Sequence, residues 1–334
     1  MNCENLRQPI IEVPGLPVDV QQTALEDIRR LVNALRSVGD ELGNTFLLDR
    51  VLVSSQFEED VNHLLQERSE LTGYSAVRKN VHAVGKTFWI RSDQGDLGFV
   101  VVIDANHLGT WGLNNARCLT TVLHELTHVL YEARHLKRLG EKEYTATGDT
   151  RERWLDQWAC VILDEFDVDR TVDAVIRKIA TKEDGQHWSL WELEEAHGVD
   201  WSQSLFDALD RMPQFIDERV WQFHTWWMNI NELAGEVIPF VNDLLVLVSH
   251  TAALYIETER WPKLMRRIKE TEAGRRFLRD HLDSIVEEFD DKQTPFTMAL
   301  ERVYKAVERI FGNCGLGFKT VDNGVYISVT EPLR

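Results

Sequence analysis

The chain reads as an α+β protein, predominantly helical, and three stretches carry that assignment. Ser75 to Ile103 is β-rich and cut by Gly85, Gly95 and Gly98, the pattern of a small antiparallel sheet of about three strands. From Ala116 to Phe311 apolar residues recur at helical spacing with few breaks. Phe318 to Val329 then closes the chain as a hairpin turning at Asp322-Asn323-Gly324.

Taken in order, the first twenty residues contain Pro9, Pro14 and Pro17 and read as extended. Asp19 or Gln21 opens an amphipathic helix to about Val38, with Leu25, Ile28, Leu31, Val32 and Leu35 on its apolar side. Val51 to Val53 suits a short strand, and Phe57 to Leu71 a helix that turns Val61, Leu64, Leu65 and Leu71 inward. The sheet follows, ending in Phe99 to Ile103, and a loop from Asp104 to Asn115 leads onward. A helix from about Ala116 stops near Leu139 at Gly140. Glu141 to Thr150 is polar and loop-like, and a second long helix spans about Arg151 to Ala180. The least arbitrary boundary lies near Thr181 to Gln186, dividing residues 1–180 from a mostly helical 181–334, with the two packed as one unit as the alternative to separate domains.

Composition bounds the partners. The net charge is -18, which disfavours nucleic acid and anionic membranes as general partners. The only local basic features are pairs such as Arg266-Arg267 and Arg275-Arg276. Cys3, Cys118, Cys160 and Cys314 are scattered with no C-x-x-C, so neither a disulfide framework nor a cysteine-zinc site is indicated. A reducing, cytoplasmic setting fits this usage, and no signal peptide is visible at the N-terminus. The most apolar run, Ile238 to Ile256, contains Asn242, Asp243 and His250 and reads as a buried helix rather than a membrane span. The stretch Trp221 to Trp227 is rich in aromatics, which at helical spacing are expected in a core.

The chemistry concentrates in Thr121 to Leu130. His124 and His128 are four residues apart, on one face of a helix, so both imidazoles can reach a single ion. Glu125 sits beside that ion, where it can take a proton from a water. This is the H-E-x-x-H arrangement of zinc-dependent peptidases. Thr121, Val122, Leu126, Thr127, Val129 and Leu130 are uncharged, as a buried metal helix requires. A sheet just before such a helix offers an edge strand that can pair with an extended peptide.

Catalytic zinc ordinarily takes three protein ligands and a water. A third His six residues after His128, with Gly at the third, is absent: those positions hold Arg134 and Tyr131. His135 would lie about 10 Å along the axis from His128. Glu-x-x-x-Asp occurs twice downstream, as Glu152 with Asp156 and as Glu165 with Asp169. At about 100° per residue, Trp154, Trp158, Val161, Ile162, Val168 and Val172 fall within roughly 60° of Glu165. Glu152 lies roughly 140° to 180° away on the same count. A carboxylate in the middle of an apolar stripe is costly unless something positive meets it, which favours Glu165 as the third ligand. Glu152, nearer in spacing to His128, remains the alternative. Asp169 would hold a ligand imidazole in its tautomer. Tyr131, His135, Tyr144 and His107 are the candidate oxyanion donors, and each also reads as structural.

With His124, Glu125, His128 and a downstream Glu-x-x-x-Asp, the chain resembles the gluzincin branch of zinc metallopeptidases, and His-Glu-Leu-Thr-His is also the form seen in thermolysin-like enzymes. The sheet-then-helix lead-in and the absence of a visible secretion signal are similar to the intracellular ImmA/IrrE-type group. The likeness covers about Phe99 to Arg170; the Asn and Phe-Ala pattern of that group is replaced by Trp158-Ala159-Cys160. The resemblance implies a zincin-like fold, bound Zn2+, and an intracellular regulatory protease acting on a protein or peptide substrate such as a repressor. The rival expectation is a zinc-binding regulatory or interaction protein without turnover.

Overall fold

The computed structural model describes residues 8–41, 43, 46–66, 77–78, 81–91, 95–113, 115–144, 150–182, 185–198, 200–290, 294–321 and 324–332. The chain divides into two units, Met1–Thr145 with Thr171–His197, and Ala146–Arg170 with Gly198–Arg334.

The first unit is built on a sheet of four strands: β1 (Ile10–Glu12), β2 (Leu48–Ser54), β5 (Gly85–Arg91) and β6 (Leu97–Asp104), in the order β1-β2-β6-β5. The expected antiparallel sheet is therefore corrected to a mixed one. β2 runs parallel to both β1 and β6, and only β5 pairs antiparallel with β6. A separate short ladder joins β3 (Val77–Arg78) to β4 (Val81–His82). Two helices precede the site, α1 (Val18–Glu41) and α2 (Phe57–Gln66); the rest of the helix expected to Leu71 lies outside the described residues. α1 buries Ala24, Ile28, Leu31, Val32, Leu35 and Val38, a stripe of the expected period, while Leu25 sits at its margin.

β6 is apolar on both faces because both are covered. Phe88, Val100 and Val102 cluster with Phe57, Val61 and Leu65 of α2. The alternate residues point the other way, toward α4 (Ala116–Leu139), which packs on β5 and β6. Phe99 to Ile103 are all fully buried, an unbroken run where a half-exposed strand would alternate. The expected loop before α4 contains a short helix, α3 (Ala105–Leu108), capped by Asp104. α4 ends at Gly140 as expected, with φ 75° there. The polar stretch after it begins as α5 (Glu141–Tyr144), and 145–149 lie outside the described residues.

α6 (Arg151–Ile179) is one unbroken helix whose residues through Arg170 belong to the second unit and whose last turns belong to the first. The first unit ends with α7 (Leu190–Ala196), started by a capping box of Ser189 and Glu192.

The second unit continues with α8 (Trp201–His224), α9 (Ile230–Tyr255), α10 (Arg260–Glu270), a π-helical turn at Gly274–Leu278, α11 (Arg279–Asp290) and α12 (Phe296–Asn313). It closes with the hairpin β7 (Leu316–Val321) and β8 (Gly324–Val329); Asp322 and Asn323 of the expected turn lie outside the described residues. Trp158 of α6 anchors that end, its ring 4.8 Å from Phe311 and 5.5 Å from Phe318. Val161, expected in the buried stripe of α6, is exposed, and Leu155, Ala159, Leu163 and Phe166 are buried instead. α9 is long and apolar enough to cross a membrane by length and composition, and 61% of its most apolar window is buried. The aromatic stretch expected in a core is corrected: α8 ends at His224, and the turn that follows leaves Trp226 and Trp227 94% and 82% exposed. Cys118, Cys160 and Cys314 are buried thiols, and Cys160 Sγ lies 3.9 Å from Asp156 Oδ2.

Candidate metal centre

α4 carries His124, Glu125 and His128 where the sequence puts them. The helical repeat stacks the two imidazoles, with ring centroids 4.8 Å apart at 83°. Their Nε2 atoms are 3.1 Å apart. Two nitrogens at zinc-ligand distance and tetrahedral angle would be about 3.3 Å apart, so the pair already has nearly the spacing of two ligands to one ion. The rest of the helix is held firmly around them. Val122, Leu123, Leu126, Val129 and Leu130 are buried, and the Thr127 hydroxyl donates to the Leu123 carbonyl at 2.7 Å.

Glu125 is 8% exposed and lies against the edge strand β5. Thr87 Oγ1 of that strand donates to the Glu125 carbonyl at 3.2 Å. Gly85 is tighter still: a Cβ there would overlap the carboxyl carbon and Oε2 of Glu125. Sequence reading took Gly85 for a strand breaker; it is the first residue of β5, and a hydrogen side chain is what lets the strand pass over the carboxylate. If the chain hydrolyses peptides, as its motif leads one to expect, Gly85→Ala should push Glu125 aside and lower that activity by at least about 100-fold, in line with the contribution of one positioned general base. Steady-state kinetics beside zinc content would check this, since the two histidines, untouched by the change, would keep any metal they hold.

In the second unit, α6 carries Glu165 and Asp169 one turn apart on the face that meets α9. The Glu165 side chain is 17% exposed and that of Asp169 is 9% exposed. Both face His250 of α9. Asp169 Oδ2 is 2.6 Å from His250 Nδ1, and Glu165 Oε2 is 3.7 Å from His250 Nε2. The Trp201 ring stacks on His250 at 4.6 Å and 27°. Ser249 Oγ, the neighbouring residue, donates to the Ile162 carbonyl at 2.8 Å and ties α9 to α6 beside this group.

The remaining candidates have structural surroundings. The Glu152 side chain is 61% exposed and accepts from Thr320 Oγ1 at 2.7 Å and Arg151 Nη1 at 3.1 Å. The Thr320 hydrogen bond, ahead of the adjacent Arg151, holds its carboxyl below the usual range. Tyr131 Oη shares a 2.6 Å hydrogen bond with Thr171 Oγ1, and Arg134 lies over its ring. Tyr144 Oη donates to Glu132 Oε2 at 2.5 Å, His107 is contacted by Arg117, and His135 is buried. The residue that sequence reading missed is His250. Its signal was a lone imidazole inside an otherwise apolar helix, and nothing in the sequence tells which helix α9 packs against.

No family model, no characterised protein and no solved structure matches this chain.

Proposed function

We propose that the protein is a zinc-dependent peptidase in which His124, His128 and Glu165 hold the metal and Glu125 is the general base. The observation that carries this reading is the 3.1 Å approach of the two Nε2 atoms on a helix that also presents a buried glutamate between them. Two imidazoles and a carboxylate are a donor set that suits zinc. A bound zinc ion would acidify a water and polarise the scissile carbonyl.

The chain's own residues then divide the work. Glu125 takes one proton from the attacking water as its oxygen bonds to the carbonyl carbon. It returns that proton to the departing amine nitrogen as the C–N bond breaks, so water is added across the peptide and Glu125 ends as it began. β5 supplies the track. An extended substrate lying along this edge would bring its backbone past Gly85 and Thr87, next to Glu125, as strand addition does elsewhere. A protein or peptide substrate, such as a repressor met in the cytoplasm, fits this arrangement.

The test is metal content and its removal. Purified protein should carry about one zinc per chain; chelation should abolish cleavage of an unstructured protein substrate, and zinc should restore it. Absence of zinc, even after metal is supplied, would mean that His124 and His128 are core residues and the reading is wrong.

A further inference from the structure

We infer that Asp169 and His250 form a buried support that holds the Glu165 carboxylate in its ligand position, so that zinc affinity is set in part from α9. The inference rests on Glu165 being the third ligand. A glutamate side chain has three rotatable torsions, and fixing them costs conformational entropy unless neighbours already do so. His250 is built to do that. Asp169, one turn from Glu165 on the same helix, lies 2.6 Å from Nδ1, and Nε2 lies 3.7 Å from Glu165 Oε2, beyond hydrogen-bond length but within ion-pair reach. Trp201 stacked on the ring at 4.6 Å stops it turning edge-on, and the Ser249 bond to Ile162 fixes the height of α9 against α6. The ring is thus restrained about its axis, its plane and its position.

Metal-ligating histidines are commonly oriented by a carboxylate behind them. Here the order is inverted: a carboxylate orients a histidine that backs a glutamate. His250 touches neither the substrate nor the reacting atoms in this scheme; it is a positioning residue.

The experiment measures zinc affinity by competition with a chromophoric chelator, and the visible spectrum of the cobalt-substituted protein, in wild type, His250→Phe and His250→Gln. Phenylalanine keeps the ring on Trp201 and removes both nitrogens. Glutamine restores a polar group near Nε2. His250→Phe should lose about 10- to 100-fold in zinc affinity, the usual effect of losing an outer partner, and should shift the cobalt bands. His250→Gln should recover part of both. If His250→Phe binds zinc as wild type does, with an unchanged cobalt spectrum, the support does not exist although the metal site stands. If wild type itself binds no zinc, the metal site falls and this inference with it. Should His250→Phe fail to fold by circular dichroism, His250→Gln decides: a partial loss of zinc affinity with shifted cobalt bands supports the role, and either wild-type affinity with a wild-type cobalt spectrum or a loss as large as that of Glu165→Ala overturns it.

Discussion

Glu125→Gln is expected to abolish peptide hydrolysis while about one zinc per chain remains bound. Glutamine has nearly the shape of glutamate, so the close fit under Gly85 of β5 and the helix around it should survive. What is lost is basicity: an amide cannot take the proton from water or return it to the amine. A positioned general base is worth about 10²- to 10⁴-fold, so turnover should fall by at least that range. Cleavage assays beside elemental analysis give the two readouts together. Undiminished biological activity in Glu125→Gln would favour a zinc-binding regulatory protein without turnover. Loss of zinc along with activity would contradict the role assigned to Glu125.

The second large effect separates the two Glu-x-x-x-Asp candidates. Glu165→Ala should strip the zinc, weakening binding by more than the about 10- to 100-fold of an outer-shell partner, because a ligand itself is removed. Glu152→Ala should keep it. The Glu152 side chain is 61% exposed and is engaged by Thr320 and Arg151, so its removal frees a surface hydroxyl and little else. The opposite pattern, with zinc lost from Glu152→Ala alone, would reverse the assignment of the third ligand.

The helices were legible because their signals are local. Period 3.6 marked α1, α4 and α6, and Gly140 marked the end of α4 within a residue. The motif residues were legible for the same reason, since i and i+4 on a helix must be neighbours. Glu165 was singled out by its position in an apolar stripe, although Val161 of that stripe proved exposed. The sheet was harder. Antiparallel neighbours announce themselves by a short turn, but parallel pairing of β2 with β1 and β6 leaves no such mark, because each partner is brought in by a crossover. Gly85 and His250 were invisible as site residues for a related reason. Each matters through an element that is remote in sequence, and single-sequence patterns report a residue's own element only.

The parallel ladder also bears on the order in which the protein assembles. Val51 lies opposite Val101, so pairing β2 with β6 closes a loop of about 50 residues before any hydrogen bond rewards it. Helices form from neighbours and need no such closure. On refolding, helical signal should therefore rise early and sheet pairing late. The β5–β6 pairing is local as well, Gly85 with Ile103 to Arg91 with Leu97, so α4 would meet its support before β2 joins. Sheet assembly would then finish with β2, on the far side of β6 from the edge that faces Glu125.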